Sequence, residues 1–398
     1  MKGFLLVLGF GLALSVWARP NELPVVDISG EASRQFVIAE GGKAVYQGHP
    51  TLVGLADGRM IAVWTDGHGG ACGPAAESSD GGKTWQRIDK RFPGGWRRAV
   101  NCPSIYELEG PDGKKRLWVW AQAKLPEGEN PYDHGIRYRY PEAAMPSVFS
   151  EDGGLTWREH PPLGCKFQCV MAFSSVVRLK DGSYLGAFHV GPGGKDRPPL
   201  AVWTAVTKDG GFTWSEPRRA AFDARYAFCE PCLIRSPGGD ELAMLMRENT
   251  RSYGASAISF SVDEGQTWSE VRPTPWGLTG DRHASLRLKD GRYLVAMRDR
   301  APESKTGGQF VAWVGSWADI REGRPGQLRM HLLRHYGKGS GHGGWCDTGY
   351  SGLVQQDDGT VVAVTYGKYF PDERQSSVAG TRFAVPLSAP SPRETGER

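Results

Sequence analysis

Ser78-Ser79-Asp80-Gly81-Gly82-Lys83-Thr84-Trp85 is the stretch of the sequence that decides the fold. Its pattern, Ser/Thr-x-Asp-x-Gly-x-Thr-Trp, suits a tight turn between two strands. The Asp side chain can accept backbone N–H bonds across such a turn, and the Gly that follows two residues later allows a positive φ. The pattern occurs four times, at 78–85, 150–157, 207–214 and 261–268, with a fifth remnant at 316–319. Four copies predict a repeated hairpin in which these aspartates hold the turn rather than do chemistry.

A second pattern runs in phase with the first. An apolar run, a turn centred on Asp-Gly and another apolar run recur six times, as in LVGLADGRMIAVW from Leu52 and LVQQDDGTVVAVTY from Leu353. Each copy is two strand-like segments joined by a glycine turn, which is typical of a β-hairpin. The turn glycines are Gly58, Gly113, Gly182, Gly239, Gly291 and Gly359. Their spacing leaves room for four short strands per unit and predicts an all-β fold, a six-bladed β-propeller.

The composition agrees with a strand-rich globular chain and excludes several classes of protein. Of 398 residues, 39% are hydrophobic and 23% charged, and the 54 glycines and 14 tryptophans favour turns and strands. The net charge of +4 is too small and too evenly spread to indicate a nucleic-acid partner. Cys229 and Cys232 resemble half a zinc site, but no second half has a suitable spacing. We therefore expect no metal and no other cofactor.

The one long apolar run of the sequence lies at its N-terminus, from Phe4 to Trp17, after a basic start. It is too short to span a bilayer, and small residues end it. We predict a signal peptide over residues 1–18, one propeller domain over 19–386 and a flexible tail over 387–398. The mature chain is expected to be a secreted or periplasmic monomer without a membrane span.

Aligning the repeats shows which residues share a place beside the propeller axis. One place lies just before the first strand of each unit and holds His49, Cys102, Phe173, Glu230, His283 and Tyr350. A second lies at the far end of the next strand and holds Thr65-Asp66, Ala121-Gln122, His189, Arg247, Arg298 and Tyr366. Buried charges need partners or ligands. The two sets predict a cationic pocket for an acidic ligand; the alternative is that several of these side chains only line a wet channel.

On these motifs the chain resembles the sialidase superfamily, whose six-bladed propellers carry the same Asp-box turns. Glu230-Pro231 followed by Met246-Arg247 is similar to the family's stretch with a glutamate and a substrate-binding arginine, and Tyr350-Ser351-Gly352 to its tyrosine stretch. The resemblance implies that Tyr350 attacks the anomeric carbon and that Glu230 is its base. Arg247 would bind the substrate carboxylate. The implied activity is that of an exo-α-sialidase-like glycoside hydrolase, acting on terminal acidic sugars of a glycan or oligosaccharide.

The arginines depart from that family's pattern. Its first arginine has no counterpart in Gly48-His49-Pro50, and its third has none near Gly308-Gln309-Phe310. Arg298 is the candidate to reach the same space from a neighbouring strand. The substrate-binding residues that we predict are Arg247, Arg298, His283 and His189.

The proton donor is the second departure. In the loop before the first Asp-box, Asp66 is the one carboxylate within reach of the place where the family has its acid/base aspartate. His49 and His68 are alternative proton donors, because imidazole titrates near neutral pH. The catalytic residues that we predict are therefore Tyr350, Glu230, Asp66 and His49.

Two other functions fit the same residues. A polysaccharide lyase would use Tyr350 or a histidine as base and acid around a uronic acid, with arginines neutralising its carboxylate. A propeller without catalysis would bind a glycan or a protein through the polar axis. The product distinguishes a lyase from a hydrolase, because a lyase leaves an unsaturated sugar that absorbs in the ultraviolet. Glycan binding without turnover would identify the propeller without catalysis.

Overall fold

The structure is a computed structural model that describes residues 23–42, 45–124, 145–167, 169–191, 200–337, 347–369 and 375–388. The predicted signal peptide and most of the predicted tail lie outside these residues. The described chain is all-β, as predicted, apart from one α-helix, α1 (Trp317–Glu322), and short 3₁₀ turns. The 3₁₀ turns are Ala32–Arg34, Asp89–Arg91, Gly94–Arg98, Cys165–Phe167 and Trp276–Leu278. Within the described ranges no helix has the length and hydropathy needed to cross a membrane.

The N-terminal half contributes two strands that pair far along the chain, and then one large antiparallel sheet. The two early strands are β1 (Val25–Asp27) and β2 (Gln35–Ala39). The large sheet contains β3 (Gln47–Gly54), β4 (Met60–Asp66), β5 (Ala71–Ser78), β6 (Gln86–Arg87), β7 (Ala99–Glu109), β8 (Lys115–Ala123), β9 (Ser147–Ser150) and β10 (Arg158–His160). Its order is β10-β9-β8-β7-β5-β4-β3, and β6 pairs with β5.

Two four-stranded antiparallel sheets follow, each in simple sequence order. The first contains β11 (Met171–Arg178), β12 (Tyr184–Val190), β13 (Ala201–Thr207) and β14 (Arg218–Ala221). The second contains β15 (Phe228–Arg235), β16 (Leu242–Glu248), β17 (Ala257–Ser261) and β18 (Arg272–Pro273).

The last two sheets each take one of the early strands. A five-stranded sheet contains β19 (Gly280–Arg287), β20 (Tyr293–Asp299), β21 (Phe310–Gly315), β22 (Leu328–Leu333) and β1, which runs parallel to β22. The final sheet contains β23 (Gly352–Gln355), β24 (Val361–Gly367), β25 (Ser377–Phe383) and β2, which pairs Gln35 with Thr381. The early strand β2 therefore completes the sheet made by the C-terminal repeat.

The sheets stand in a propeller-like ring. The first strands of the six repeats, β3, β7, β11, β15, β19 and β23, contact one another in that order, and β23 contacts β3. The sheet count differs from the six separate blades that the repeats predict. Because β5 and β7 pair through Ala71 and Val100, the first two repeats share one eight-stranded sheet. The described residues thus form five sheets, four of them with four or five strands.

Both turn predictions are confirmed. The six Asp-Gly glycines all lie between the first and second strands of their repeats, with φ between 71° and 90°. The four Asp-boxes connect the third and fourth strands. In the first box, Asp80 accepts hydrogen bonds from the Lys83 and Thr84 backbone N–H groups and the Thr84 hydroxyl. Burial acts to raise the pKa of Asp80, but these bonds hold it at about 2. Such aspartates are fixed acceptors in the turn.

The fifth remnant has a different structure from a hairpin turn. Ser316 and Asp319 form a capping box at the start of α1, in which the Ser316 side chain accepts from the Asp319 N–H and the Asp319 carboxylate accepts from the Ser316 N–H. This helix takes the place of an Asp-box between β21 and β22. The residue types of the remnant suit either role, because Ser and Asp both accept backbone N–H bonds in turns and at helix N-termini.

The hydrophobic core lies between neighbouring sheets. The second strand of each repeat is packed on both faces, so its sequence is an apolar run rather than an alternating one. One cluster joins Met60 and Trp64 of β4 to Val362 and Val364 of β24. Glycines of the Asp-box turns also meet the preceding repeat. A Cβ on Gly154 would lie 2.4 Å from the Ile61 Cδ1 atom, and the positive φ of 86° strains any residue other than glycine there.

Candidate active site

The axis is lined by residues that five β-bulges present. Each of β3, β7, β11, β15 and β19 shifts register close to its start, at equivalent places in the repeats. Five bulge residues in four repeats have left-handed backbones, His49 (φ 55°), Asn101 (58°), Cys102 (47°), Glu230 (51°) and Arg282 (53°). Such a conformation costs about 1–3 kcal/mol for a residue other than glycine. Its recurrence at one place in four repeats is typical of a site that presents side chains.

Tyr350 lies where these residues converge. Its hydroxyl donates a 2.6 Å hydrogen bond to Glu230 Oε1. The His49 ring meets the tyrosine ring edge-on with centroids 4.7 Å apart, and the Arg282 guanidinium lies 5.7 Å from the ring centroid. Cys102 is close enough to raise the pKa of the phenol by its charge. Tyr350 and Glu230, which were predicted from two distant repeats, are therefore in direct contact.

The protonation of this pair follows from its surroundings. Burial and the neighbouring Cys102 and Glu230 raise the pKa of Tyr350 well above its ordinary value. Burial also acts to raise the pKa of Glu230, but the charge of Arg247 and the hydrogen bond from Tyr350 together hold that pKa below its usual range. At neutral pH the tyrosine is a phenol and the glutamate an anion. Glu230 Oε2 is buried and has no hydrogen-bond partner among the described residues.

One side of the axis, which we call the arginine cluster, consists of Glu230, Arg247, Asp281, Arg298 and Arg300. Arg247 bridges two carboxylates, with Nη1 2.9 Å from Glu230 Oε1 and Nε 3.2 Å from Asp281 Oδ1. Arg298 binds Asp281 Oδ2 through Nε at 3.0 Å and Nη2 at 2.6 Å. Arg300 Nε lies 3.5 Å from the same oxygen. The two predicted substrate-binding arginines therefore share a carboxylate of the protein itself.

The opposite side, which we call the histidine–tyrosine cluster, consists of Tyr46, His49, His68, Asp347 and Tyr366. Asp347 accepts hydrogen bonds of 2.6 Å from the hydroxyls of Tyr46 and Tyr366. His68 Nδ1 lies 3.2 Å from Asp347 Oδ2. Burial acts to raise the pKa of Asp347, but these partners hold it below its usual range. An ionised carboxylate only accepts hydrogen bonds, so His68 carries its proton on Nδ1 in this contact.

Within this cluster, His49 is the residue whose ring meets Tyr350 edge-on. Its ring meets His68 edge-on with centroids 4.7 Å apart, and its Nδ1 lies 3.3 Å from the Thr65 hydroxyl. Burial, followed by the charge of His68, lowers the pKa of His49 to about 3. At neutral pH His49 is therefore an uncharged imidazole.

The other predicted residues lie at different distances from this centre. The His189 side chain accepts a 3.2 Å hydrogen bond at Nδ1 from the Glu230 backbone N–H, and burial lowers its pKa to about 4. Asp66 lies towards the solvent, where it accepts from Gln47 and pairs with Arg97 at 3.5 Å. His189 thus helps to hold the Glu230 bulge, whereas the structure places Asp66 in contacts outside both clusters.

Two of the aligned places were wrong in register or in role. His283 was placed at the axis, but Arg282 has the left-handed bulge conformation there, and His283 Nε2 lies 2.9 Å from the Leu278 carbonyl oxygen. Phe173 stacks on Trp214 with centroids 4.0 Å apart in the core between two sheets. A slip of one residue turns a side chain to the other face of a strand. His283 therefore packs beside the axis instead of facing it.

Sequence reasoning missed four residues of the two clusters, Tyr46, Asp281, Arg300 and Asp347. Asp281 directly precedes the fifth bulge residue, and Asp347 lies three residues before Tyr350. A signal for the bulge existed, because His49, Cys102 and Glu230 are each followed by proline. Proline within a sheet is confined to edges and bulges. The fifth repeat lacks that proline, which removed the marker for Asp281 and Arg282.

In the described part of the chain no group of three or more His, Cys, Asp or Glu side chains has the arrangement of a metal site. Cys229 and Cys232 are buried and not in a disulfide. Burial raises the pKa of both thiols, which keeps them protonated.

The comparisons with known proteins agree with this architecture. A BNR repeat-like domain matches residues 114–306. A protein of unknown function from Dyadobacter fermentans has a TM-score of 0.64 at 18% identity, over 89% of this chain and 98% of its own. The fold is a propeller-like arrangement of β-sheets. No curated protein matches the chain.

Two of the similar structures are glycosidases. The GH93 α-L-arabinofuranosidase of Fusarium graminearum, solved with arabinobiose, has a TM-score of 0.61 at 13% identity, over 88% of this chain and 97% of its own. The NanB sialidase of Streptococcus pneumoniae has a TM-score of 0.54 at 14% identity, over 88% of this chain and 70% of its own. At these identities the likeness concerns the fold, so the activity has to be argued from the site.

Proposed function

We propose that this protein is a glycoside hydrolase in which Tyr350 is the nucleophile and Glu230 its base. The observation that carries the proposal is the 2.6 Å hydrogen bond from the buried phenol to the buried carboxylate at the propeller axis. A phenol is a weak nucleophile until an adjacent base takes its proton. Glu230 is held as an anion by Arg247 and is therefore ready to take that proton.

The reaction would proceed in two steps with retained configuration. As the Tyr350 oxygen bonds to the anomeric carbon, the phenolic proton moves to Glu230 and the glycosidic C–O bond breaks. The leaving oxygen takes a proton from an acid of the enzyme. Water then attacks the same carbon and gives one proton to that acid, which the first step left deprotonated, while the tyrosine oxygen departs with the proton from Glu230. The unpartnered Glu230 Oε2 offers an acceptor for a sugar hydroxyl during both steps.

We assign the acid to His68, with Asp347 as the residue that positions it. The three candidates differ in environment. His49 has a pKa of about 3 and carries no proton to give at neutral pH. Asp66 is engaged with Gln47 and Arg97. His68 is more than half exposed, contacts His49 and is oriented by Asp347 through Nδ1, so its Nε2 would give the proton.

The charge of the arginine cluster favours an uncharged reacting sugar. An acidic sugar, such as the terminal sialic acid that the family resemblance implies, would have to compete with Asp281 for Arg247 and Arg298. Both arginines already bind that carboxylate at 3.2 Å or less. The arabinofuranosidase of similar fold was solved with a neutral disaccharide, arabinobiose. We therefore propose a glycan with a neutral sugar at the cleaved bond, and sialic acid release is the alternative to be measured beside it.

Blade number, export and oligomeric state belong to the same proposal. We propose that the eight-stranded sheet counts as two blades, since the first strands of six repeats contact one another in a closed ring. We further propose an exported monomer whose mature chain begins after Ala18.

The test is sugar release by the purified mature chain from three classes of glycan: arabinan, a sialylated glycoprotein and a uronic-acid polysaccharide. We expect release of a neutral sugar from the first class, and Tyr350→Phe should abolish it. Tyr293→Phe is the matched control, because Tyr293 is also a buried tyrosine whose hydroxyl donates a hydrogen bond, 2.7 Å to the Arg235 carbonyl oxygen. That control should keep wild-type activity.

Three other results would change the proposed function. Release of sialic acid would replace the neutral sugar by an acidic one and retain the mechanism. A product that absorbs in the ultraviolet would identify a lyase and overturn the hydrolase proposal. Binding to a glycan without any product from the wild type would overturn catalysis and leave a binding propeller.

A further inference from the structure

Three arginines contact the buried carboxylate of Asp281. Its Oδ1 meets Arg247 Nε at 3.2 Å, and its Oδ2 meets Arg298 at 2.6 Å and Arg300 at 3.5 Å. Only 8% of the Asp281 side chain is exposed. Burial acts to raise the pKa of Asp281, but the three guanidiniums hold it below its usual range. One buried carboxylate thus has a guanidinium on each of its oxygens.

The same donor set would recognise the carboxylate of a ligand. Guanidinium groups bind carboxylates through paired N–H donors in a plane, and Arg298 does this to Asp281 Oδ2 with both Nε and Nη2. The cluster is continuous with the reacting residues, since Arg247 also binds Glu230 Oε1. Asp281 therefore fills, from the protein side, a place beside the site in which an anionic group of a sugar would otherwise fit.

We propose that Asp281 is a specificity-determining residue that occupies a carboxylate-binding cradle and thereby excludes sugar acids from the site. The cradle consists of Arg247, Arg298 and Arg300. Without the Asp281 carboxylate, the cradle becomes a binding site for a small monocarboxylate or for the carboxylate of a sialic or uronic acid. As a statement about substrate choice this inference rests on the proposed function, but the cradle itself is tested without turnover.

The charges around the cradle predict how the loss of Asp281 changes stability and how a monocarboxylate changes it back. Its three guanidiniums face two carboxylates, Asp281 and Glu230. Removing Asp281 leaves buried cations with one carboxylate, which lowers the thermal stability of the fold. A monocarboxylate that enters the vacated place restores the missing charge, so it should stabilise the variant and not the wild type.

The experiment is thermal unfolding of the whole mature chain and of Asp281→Gly, with sodium acetate or sodium chloride at the same ionic strength. Acetate is the probe because its methyl and carboxylate groups match the atoms that the glycine variant lacks. In chloride we expect Asp281→Gly to have a lower unfolding midpoint than the wild type, and in acetate we expect this midpoint to rise saturably. By calorimetry the variant should bind acetate at least tenfold more tightly than chloride. The wild type should show no difference between the two salts.

Asp281→Asn is the matched control, since it keeps the shape and removes the charge. Its amide still fills the cradle, so acetate should not bind it. Equal responses of Asp281→Gly and the wild type to acetate, or no response in a folded Asp281→Gly, would overturn the inference. If Asp281→Gly does not fold in chloride, refolding in acetate decides the matter, because recovery in acetate alone supports the cradle and failure in both salts overturns it.

Two further probes connect the cradle to substrate choice. N-acetylneuraminate and galacturonate should bind Asp281→Gly at least tenfold more tightly than the wild type. Binding of acetate by Asp281→Gly together with a wild type that releases no sugar would leave the cradle in place and reject the proposed function. Sugar release by the wild type with no acetate binding by the variant would do the reverse.

Discussion

The arginine cluster and the histidine–tyrosine cluster face each other across Tyr350, and they are built in opposite ways. The first consists of formal charges in direct contact, such as the Arg298–Asp281 pair at 2.6 Å. The second has a single carboxylate, Asp347, surrounded by tyrosine hydroxyls and the His68 imidazole. Fixed ion pairs hold a geometry and a charge, whereas hydroxyl and imidazole groups carry exchangeable protons that they can transfer. The comparison assigns positioning and base control to one side and proton delivery to the other.

The largest effect that we expect concerns the contact between Tyr350 and the arginine cluster. Tyr350→Phe and Glu230→Gln should each lower kcat/KM by at least about 10³-fold, within the range for loss of acid–base and nucleophilic groups. The double variant should lose less than about tenfold more, because residues that act as one unit are not additive. Steady-state kinetics on the released sugar measure all four proteins. Activity that survives in Tyr350→Phe but not in Glu230→Gln would make Glu230 the nucleophile.

A smaller effect is expected on the other side of the axis. His68→Asn should lower kcat/KM on a natural glycan by about 10²-fold, because it removes the acid for the leaving oxygen. The loss should be under about tenfold on an aryl glycoside, whose leaving group needs no proton. Asp66→Asn is the matched comparison, since Asp66 is the other candidate. A leaving-group dependence found in Asp66→Asn instead of His68→Asn would reverse the assignment.

The smallest effect that we expect is on the pH dependence of the free energy of unfolding. The two clusters should lower that free energy in different pH ranges. His49 has a pKa of about 3 in the fold, against 6.5 for an ordinary histidine, and burial is the main cause. Between these pH values the unfolded chain binds more protons, so the free energy of unfolding falls as the pH drops from 6.5, by up to about 1.4 kcal/mol per pH unit and group. His189, with a pKa of about 4, adds to the same slope.

Asp281 should act in a lower pH window. Its pKa in the fold lies below the ordinary value, so its contribution is complete above about pH 4 and is lost as the pH falls through the folded-state pKa. Urea unfolding from pH 7 to 3 measures the histidine window and the upper part of the Asp281 window. His49→Gln should flatten the slope between pH 4 and 6.5, and Asp281→Asn should leave that slope unchanged. An unchanged slope in His49→Gln would contradict the buried neutral imidazole.

The sequence was sufficient for the fold where a local motif repeats. The Asp-box at Ser78–Trp85 and the Asp-Gly turns each specify their own backbone, so the hairpins follow from residues that lie within a few positions of one another. The sheet count could not be read in this way, because the pairing of Ala71 with Val100 joins two repeats across a long connection. The hairpins were therefore predictable and the merging of two sheets was not.

For the site, prediction depended on repeat phase. Tyr350 and Glu230 were predicted at equivalent places and are in contact. Glu230 lies in the bulge of its first strand, and Tyr350 lies just before the first strand of the last repeat.

Arg282 was missed by one position, since the fifth repeat has no proline to mark its bulge. Asp281 and Asp347 were missed because each contact set crosses repeats, from Asp281 to Arg247 and from Asp347 to Tyr46, and a single sequence carries no signal for such pairings.

The bulges also bear on how such a propeller can change its chemistry over evolutionary time. In the five bulged first strands the residues on both sides of the bulge keep their ladder pairs, as Cys229 does with Arg247 and Cys232 with Leu245. Glu230 and Pro231, which lie between them, are excluded from that ladder, so the Glu230 side chain is not needed for strand pairing. Point mutations at such places alter the lining of the axis and leave the scaffold intact. New reactions can therefore arise one substitution at a time, without passing through an unfolded ancestor.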